Sequence, residues 1–411
     1  MGTNFSGMEW AKPGLRFGSS PLPNVNFTVP RRADVAYLVA SGFTKNRLPI
    51  QWELLQPMLH DTPANAAAVA AIGSPGVFHA GYESFITGVL DAHAAAGITC
   101  IIDCHNYCRY QDFIFQPDGS VIGLVAPSNP LVRAYTNDSS QVFVRIFSLA
   151  AGSRLKISNF NDFWTRAALK WKSHPGFGGY GLMNEPHDMP VAGGITGVYD
   201  APPYSGQEDL TIWPTFAKAA ISAIRAVDPI NPIYLAGNAY GGAVTIGTHN
   251  PGWPLAGTNL IYEVHAYLDA YNNGAAYDYD TEVAKNFSAG FGVGSITLNT
   301  GYDRLKVAVD WAQPMASGWR WVKSGCRLMI PAGRNPSGVP PTLPASPIVK
   351  STAGWAETIG RFAITPSTTC LAGTKTRRWS RLCPDSSRPL QAWPGRPCST
   401  MVRAGRPMAP Q

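Results

Sequence analysis

Apolar and polar positions along the 411-residue chain switch repeatedly between two periods. Short apolar runs that read as buried strands recur near Gly2–Ser6, Gly42–Leu48, Ile98–Cys104, Gly178–Met183, Ile233–Leu235, Leu260–Val264 and Arg327–Ile330. Between them, Arg31–Ala40, Tyr82–Ala96, Asn159–Lys172, Thr215–Val227 and Tyr302–Val322 show helical periodicity or a helix-friendly composition. Strands and helices in alternation predict repeated βα units on a parallel sheet, and the expected fold is a (β/α)8 TIM barrel. Closure needs an eighth strand, which the pattern does not supply, so the barrel is expected to be incomplete at its last strands.

The pattern stops after Ile330. Residues 331–411 hold thirteen prolines, three cysteines and runs such as TKTRRWSRL, with no sustained period. Such a segment cannot easily bury an apolar face. The expected organisation is a barrel over 1–330 and an irregular, basic, Pro-rich tail over 331–411 that is not a native domain, with Ser351–Ile364 as its one plausible short helix.

Composition adds little to that picture until it is split at the same point. With 45% hydrophobic and 14% charged residues the chain can bury a large core, which excludes disorder. The net charge of +7 suggests a nucleic-acid or membrane partner only if it is spread evenly, and it is not. The tail carries eleven of the 33 Lys+Arg but only two of the 26 Asp+Glu, Glu357 and Asp385. The first 330 residues are therefore slightly acidic, and a nucleic-acid reading rests on the tail alone. No run of 18 apolar residues exists, so no membrane span is expected. The amino terminus, MGTNFSGMEW, lacks the basic and apolar regions of a signal peptide. The seven cysteines form no metal-ligand pattern; Cys100 and Cys104 share one face of a strand, which favours small buried residues.

The chemistry gathers where strands end. Asn46 and Arg47, Asp103 and His105, Asn184 and Glu185, and Glu263, His265 and Tyr267 stand at four of them. In a parallel barrel the carboxyl ends of the strands are where side chains turn from packing to catalysis. One such histidine is more often a satisfied structural group; four strand ends together favour a site.

The stretches GTNFSGMEW, NRLPIQWELLQP, IIDCHNYCRY, WKSHPGFGGYGLMNEPHDM and IYEVHAYLD, in this order over residues 2–269, resemble the glycoside hydrolase family 5 cellulases, in particular their endo-β-1,4-glucanase branch. The resemblance implies hydrolysis of internal β-1,4-glucosidic bonds in cellulose and related β-glucans, with no metal or organic cofactor. It implies a polysaccharide substrate, no nucleic-acid or membrane partner, a monomer, and secretion. It places Glu185 as general acid/base, with Asn184, Arg47, His265 and Tyr267 completing the catalytic set. His105 and Tyr107 would line the sugar site, and Trp10, Trp213 and Trp253 are candidate sugar-stacking platforms. Because the family is retaining, a second carboxylate should lie about 5 Å from Glu185 and raise its pKa by like-charge repulsion. Glu263 is expected to support and not to attack. The rival readings are a hydrolase of mannan, xylan or mixed-linkage glucan, and an inactive carbohydrate-binding relic.

The resemblance stops at the nucleophile. The family places that glutamate at the end of the seventh strand, where this chain reads GCRLMIPAGRNPSG, and no acidic residue occurs between Asp310 and Glu357. Two explanations compete: a natural chain drawing on Glu357, or a reading frame shifted just after Ile330. The shift accounts together for the compositional break, the missing eighth strand and the acid-poor tail.

Overall fold

The computed structural model describes residues 2–10, 27–63, 66–115, 121–124, 135–137, 140–142, 144–151, 153, 155–189, 191, 208–276, 278–285, 295–315 and 320–323. The chain divides into two compact units, Met1–Thr368 and Thr369–Gln411, and every described residue lies in the first. The tail, its expected helix at Ser351–Ile364, and the expected boundary at 330 lie outside the described residues.

Seven parallel strands form one sheet in chain order: β1 (Gly2–Asn4), β2 (Lys45–Ile50), β3 (Thr99–Cys104), β4 (Phe177–Gly181), β5 (Ile233–Ala236), β6 (Leu260–Val264) and β7 (Arg320–Lys323). The longer helices are α1 (Arg32–Ala40), α2 (Ala80–Ala95), α3 (Ile157–Trp171), α4 (Ile212–Arg225) and α5 (Thr300–Ala312). This is an incomplete (β/α)8 barrel with β1 and β7 at the ends of the strand order.

The helices form for the reasons their patterns suggest. In α3 the residues Phe160, Phe163, Trp164, Ala167, Ala168 and Trp171 are buried, and in α4 Trp213, Phe216, Ala217, Ala220, Ile221 and Ile224 are. Both sets recur at three and four residues, so each helix lays one apolar stripe on the sheet. The start of α3 is fixed by the Asn159 side chain, which accepts from the Lys156 amide at 2.8 Å.

Two expectations at the carboxyl side of the barrel need correction. The helix expected over Tyr302–Val322 ends at Ala312 and passes through a 3-10 turn, Gln313–Met315. Pro314 explains the stop, because it has no amide proton to continue the helical ladder. The strand that pairs with β6 is Arg320–Lys323, overlapping the end of that expected helix, whereas the expected seventh strand at Arg327–Ile330 lies outside the described residues. Three short antiparallel pairs between β3 and α3, not anticipated from the sequence, join Arg109–Gln111 to Val144–Ile146, Phe113–Phe115 to Val121–Leu124, and Tyr135–Asn137 to Ser140–Val142.

Strand alternation decides which residues can do chemistry. On β3, Cys100, Ile102 and Cys104 belong to the core between sheet and helices, and the three cysteines of this region are buried free thiols. The other face points into the barrel, where Ile101, Tyr234 and Ile261 pack together and Lys45 Nζ donates to the Tyr234 hydroxyl at 2.9 Å. One layer higher the interior turns ionic with Arg47, Asp103 and Glu263. Gly181 makes room for it: a Cβ there would sit 2.8 Å from Asp103 Oδ1. The apolar run before Asn184 is therefore glycine-rich because its neighbours fill the space.

Candidate active site

Arg47 is the hub of the ionic layer. Its Nη2 lies 2.7 Å from Asp103 Oδ1 and 3.1 Å from Glu263 Oε1, and donates to Asn184 Oδ1 at 2.9 Å. Two carboxylates and a buried guanidinium balance one another's charge there through Nη2. Asn46, the next residue along β2, points the other way and meets His93 Nε2 at 2.9 Å.

The network extends on both sides of Arg47. Asp103 Oδ2 faces His105 Nδ1 at 2.9 Å. Glu263 Oε1 lies 3.0 Å from His265 Nε2, and His265 Nδ1 lies 2.6 Å from Glu185 Oε1. The Tyr267 hydroxyl donates to the same Glu185 oxygen at 3.3 Å. An unbroken path of polar contacts thus runs Glu185, His265, Glu263, Arg47, Asp103, His105.

The pKa values follow from this path. Burial alone would lower that of His265, but hydrogen bonds from both ring nitrogens to carboxylates raise it to about 9. The ring is an imidazolium at neutral pH. Burial pushes the Glu185 carboxyl up, yet the His265 hydrogen bond and charge, with His105 and Arg47, outweigh it and hold it below its ordinary value. The direction is opposite to the raised pKa expected from a facing carboxylate: among the described residues that shift Glu185 most, the cations prevail over burial.

Strain is concentrated at the same place. Tyr107, Cys108, Glu185, Asp188, Ala239 and Tyr240 all have positive φ, with Glu185 at 45°. Left-handed backbone at non-glycine residues is uncommon and clusters at functional sites. The Asn184 amide donates to Cys104 O at 2.8 Å, which pins the strained turn to the end of β3.

The family model described as Cellulase (glycosyl hydrolase family 5) matches residues 20–312, more than half of the chain. The chain belongs to glycosyl hydrolase family 5. As a family 5 chain it is similar to the manganese dependent endoglucanase Eg5A of Phanerodontia chrysosporium, at 24% identity over 290 residues, covering 68% of this chain and 56% of that protein. It is also similar to endoglucanase 1 of Saitozyma flava, at 25% identity over 280 residues, covering 65% and 60%. The chain thus spans less than two thirds of the length of these curated relatives. Among solved structures, Pseudomonas stutzeri endoglucanase Cel5A superposes with a TM-score of 0.51 at 22% identity, covering 80% of this chain and 76% of that one, a likeness of fold. Among the described residues, no group of three or more His, Cys, Asp or Glu side chains could hold a metal ion.

The structure brings Arg47, His105, Asn184, Glu185, His265 and Tyr267 together, and sets Tyr107 beside His105 with ring centroids 5.3 Å apart. The tryptophans divide. Trp10 is 49% exposed beyond the end of β1. Trp213 is fully buried in α4 and donates its indole N–H to Ala236 O at 2.8 Å, so it is core and no platform. Trp253 packs edge-on against Tyr262, on the helix side of β6, which removes it from the barrel mouth. Residues overlooked in the sequence are His187 and Tyr240, whose rings stack at 4.0 Å, and Glu9, whose pKa burial raises against the opposing charge of His105. NEPH and GNAYGG carry the first two, but neither motif shows that their rings meet.

Proposed function

We propose that the site is that of a retaining endo-β-1,4-glucanase in which Glu185 serves as general acid/base. The observation that carries this reading is the Glu185–His265 contact at 2.6 Å at the carboxyl end of a parallel barrel. Glu185 gives its proton to the leaving oxygen, and His265 and Tyr267 hold the carboxyl in one orientation. Arg47 occupies the oxygen of the Asn184 amide, which leaves its N–H2 as the donor for the sugar's 2-hydroxyl. His105 and Tyr107 line the pocket for the ring being cleaved, and Trp10 offers an exposed face further out.

The attacking carboxylate is the part this sequence does not place, since nothing acidic lies between Asp310 and Glu357. A frame shifted after Ile330 accounts for that. The same observation favours a second reading, a carbohydrate-binding relic that retains affinity without turnover. Substrate class is tested by titrating the chain with cello-, manno- and xylo-oligosaccharides of equal length. Tightest binding of the cello series supports the glucanase reading, and preference for another series replaces it.

A further inference from the structure

The Tyr267 hydroxyl reaches Glu185 from the loop that leaves β6, and a buried cation outside the site grips that loop. Arg304, on α5, is 1% exposed. Its Nη1 donates to Tyr267 O at 2.5 Å, Asp269 O at 2.8 Å and Asn272 Oδ1 at 3.3 Å, and its Nη2 donates to Ala270 O at 3.4 Å. All of these acceptors are carbonyl oxygens of residues 267–272. Burial pushes the guanidinium pKa down, and the charge of Asp269 opposes it. The Asp269 carboxylate is itself turned to backbone amides, Oδ1 accepting from Asn273 and Gly274 at 3.1 and 2.9 Å and Oδ2 from Ala275 at 3.1 Å. A buried charge is tolerated where hydrogen bonds replace its water, and here the carbonyls of the loop do so.

Further contacts leave the loop little freedom. Asn272 is left-handed, with φ of 54°, and its Oδ1 also accepts from the Tyr267 amide at 2.7 Å. One side-chain oxygen thus ties the start of the loop to its end and to Arg304. Glu282 Oε2 accepts from the Ala270 amide at 2.7 Å. Gly301, three residues before Arg304 on α5, packs so closely on the loop that a Cβ there would stand 2.7 Å from Leu268 Cδ2. Residues three apart share a helix face, so α5 presents a glycine and a guanidinium to the loop side by side. Tyr267 carries this grip into the site, where its hydroxyl donates to Glu185 Oε1 at 3.3 Å.

We infer that Arg304 is a positioning residue for the cleavage: by fixing residues 267–272 it sets the Tyr267 hydroxyl against Glu185 and so aims that carboxyl at the departing oxygen. This inference rests on the glucanase reading. A guanidinium suits the task because its rigid, planar fork meets several carbonyls at once, which the single ammonium of a lysine does not. The 3.3 Å contact between Tyr267 and Glu185 is long for a hydrogen bond between oxygens, so a small shift of the loop breaks it. Misplacement of a reacting group by about 1 Å can slow a reaction about a hundredfold.

The test compares phenyl β-cellobioside with 2,4-dinitrophenyl β-cellobioside, using the full chain with formate as the attacking carboxylate, because no acidic residue lies between Asp310 and Glu357. Formate bonds to the anomeric carbon as the bond to the aryl oxygen breaks, and the released phenol is followed. Phenol needs the proton of Glu185 to depart, whereas dinitrophenolate departs as the anion. In Arg304→Met the phenyl substrate is cleaved about tenfold more slowly and the dinitrophenyl substrate at the wild-type rate. Arg304→Lys, which keeps the charge and a donor, shows the same selectivity with a smaller loss. Tyr267→Phe reproduces the selective loss, and Arg304→Met adds nothing to it in the double variant, because both act through one hydroxyl. Slowing of both substrates alike, slowing of neither, or losses that multiply in the double variant overturns the role of Arg304 and leaves the glucanase reading standing. No cleavage of either substrate by the wild type overturns both.

Discussion

The imidazole of His265 bridges Glu185 and Glu263, 2.6 Å from the first through Nδ1 and 3.0 Å from the second through Nε2. A buried ring between two carboxylates is worth most when it carries the proton. Its pKa of about 9 in the folded chain stands above the ordinary 6.5. Its contribution to stability is therefore complete below about pH 6.5 and is lost as pH rises through about 9. The loss is on the order of 3 kcal/mol. Urea unfolding of the wild type and His265→Gln across pH 6 to 10 reads it: the wild type weakens over this window and the variant does not. The depressed pKa of Glu185 is the other side of the same pair and is not added to it.

That depression has a catalytic consequence. A general acid must be protonated, and Glu185 is held ionised below the usual carboxylate range. Cleavage that depends on Glu185 should rise as pH falls toward its lowered value. In His265→Asn, burial acts with less opposition, and the limb on which the rate falls with rising pH moves to higher pH. A limb that does not move in the variant shows that His265 does not set it.

Arg47 holds Asp103 and Glu263 together in the barrel. Arg47→Met leaves both buried without that cation and is expected to cost about 3–5 kcal/mol. Adding Asp103→Asn to it should recover part of the loss, measured as a shift in the urea midpoint. Additive losses would show that the two residues do not act as a pair.

Trp213 and Trp10 should behave in opposite ways. Trp213→Ala empties a fully buried site and is expected to cost about 3–5 kcal/mol, with the glycan affinity of the remaining folded protein unchanged. Trp10→Ala should leave stability within about 0.5 kcal/mol and weaken binding of long cello-oligosaccharides. Thermal melts paired with titrations separate the two.

The sequence exposes strand positions well and side-chain meetings poorly. Leu260–Val264 is observed as read, and Gly178–Met183 shifts only to Phe177–Gly181, because alternation and glycine spacing are local properties. The stacking of His187 on Tyr240 is not local: it depends on two left-handed turns, at Asp188 and at Ala239–Tyr240, that no periodicity reveals. Trp213 misleads for a related reason, since an aromatic near a loop reads alike whether its helix turns it inward or outward. The Glu185 pKa is set by which charges surround it in space, which a linear motif does not state.

The most direct test supplies from solution the attacking carboxylate that the sequence does not place between Asp310 and Glu357. Formate, a small carboxylate, is added to the full chain with cellotetraose, and reducing ends are followed beside Glu185→Gln. Attack by formate on the anomeric carbon forms a glycosyl formate and breaks the glycosidic bond as Glu185 delivers its proton to the departing oxygen; water then hydrolyses the ester, returning formate and exposing the new reducing end. Formate-dependent cleavage by the wild type is expected, slowed by at least roughly a hundredfold in Glu185→Gln. Equal rates in the two chains, or no formate-dependent cleavage by either, would contradict it.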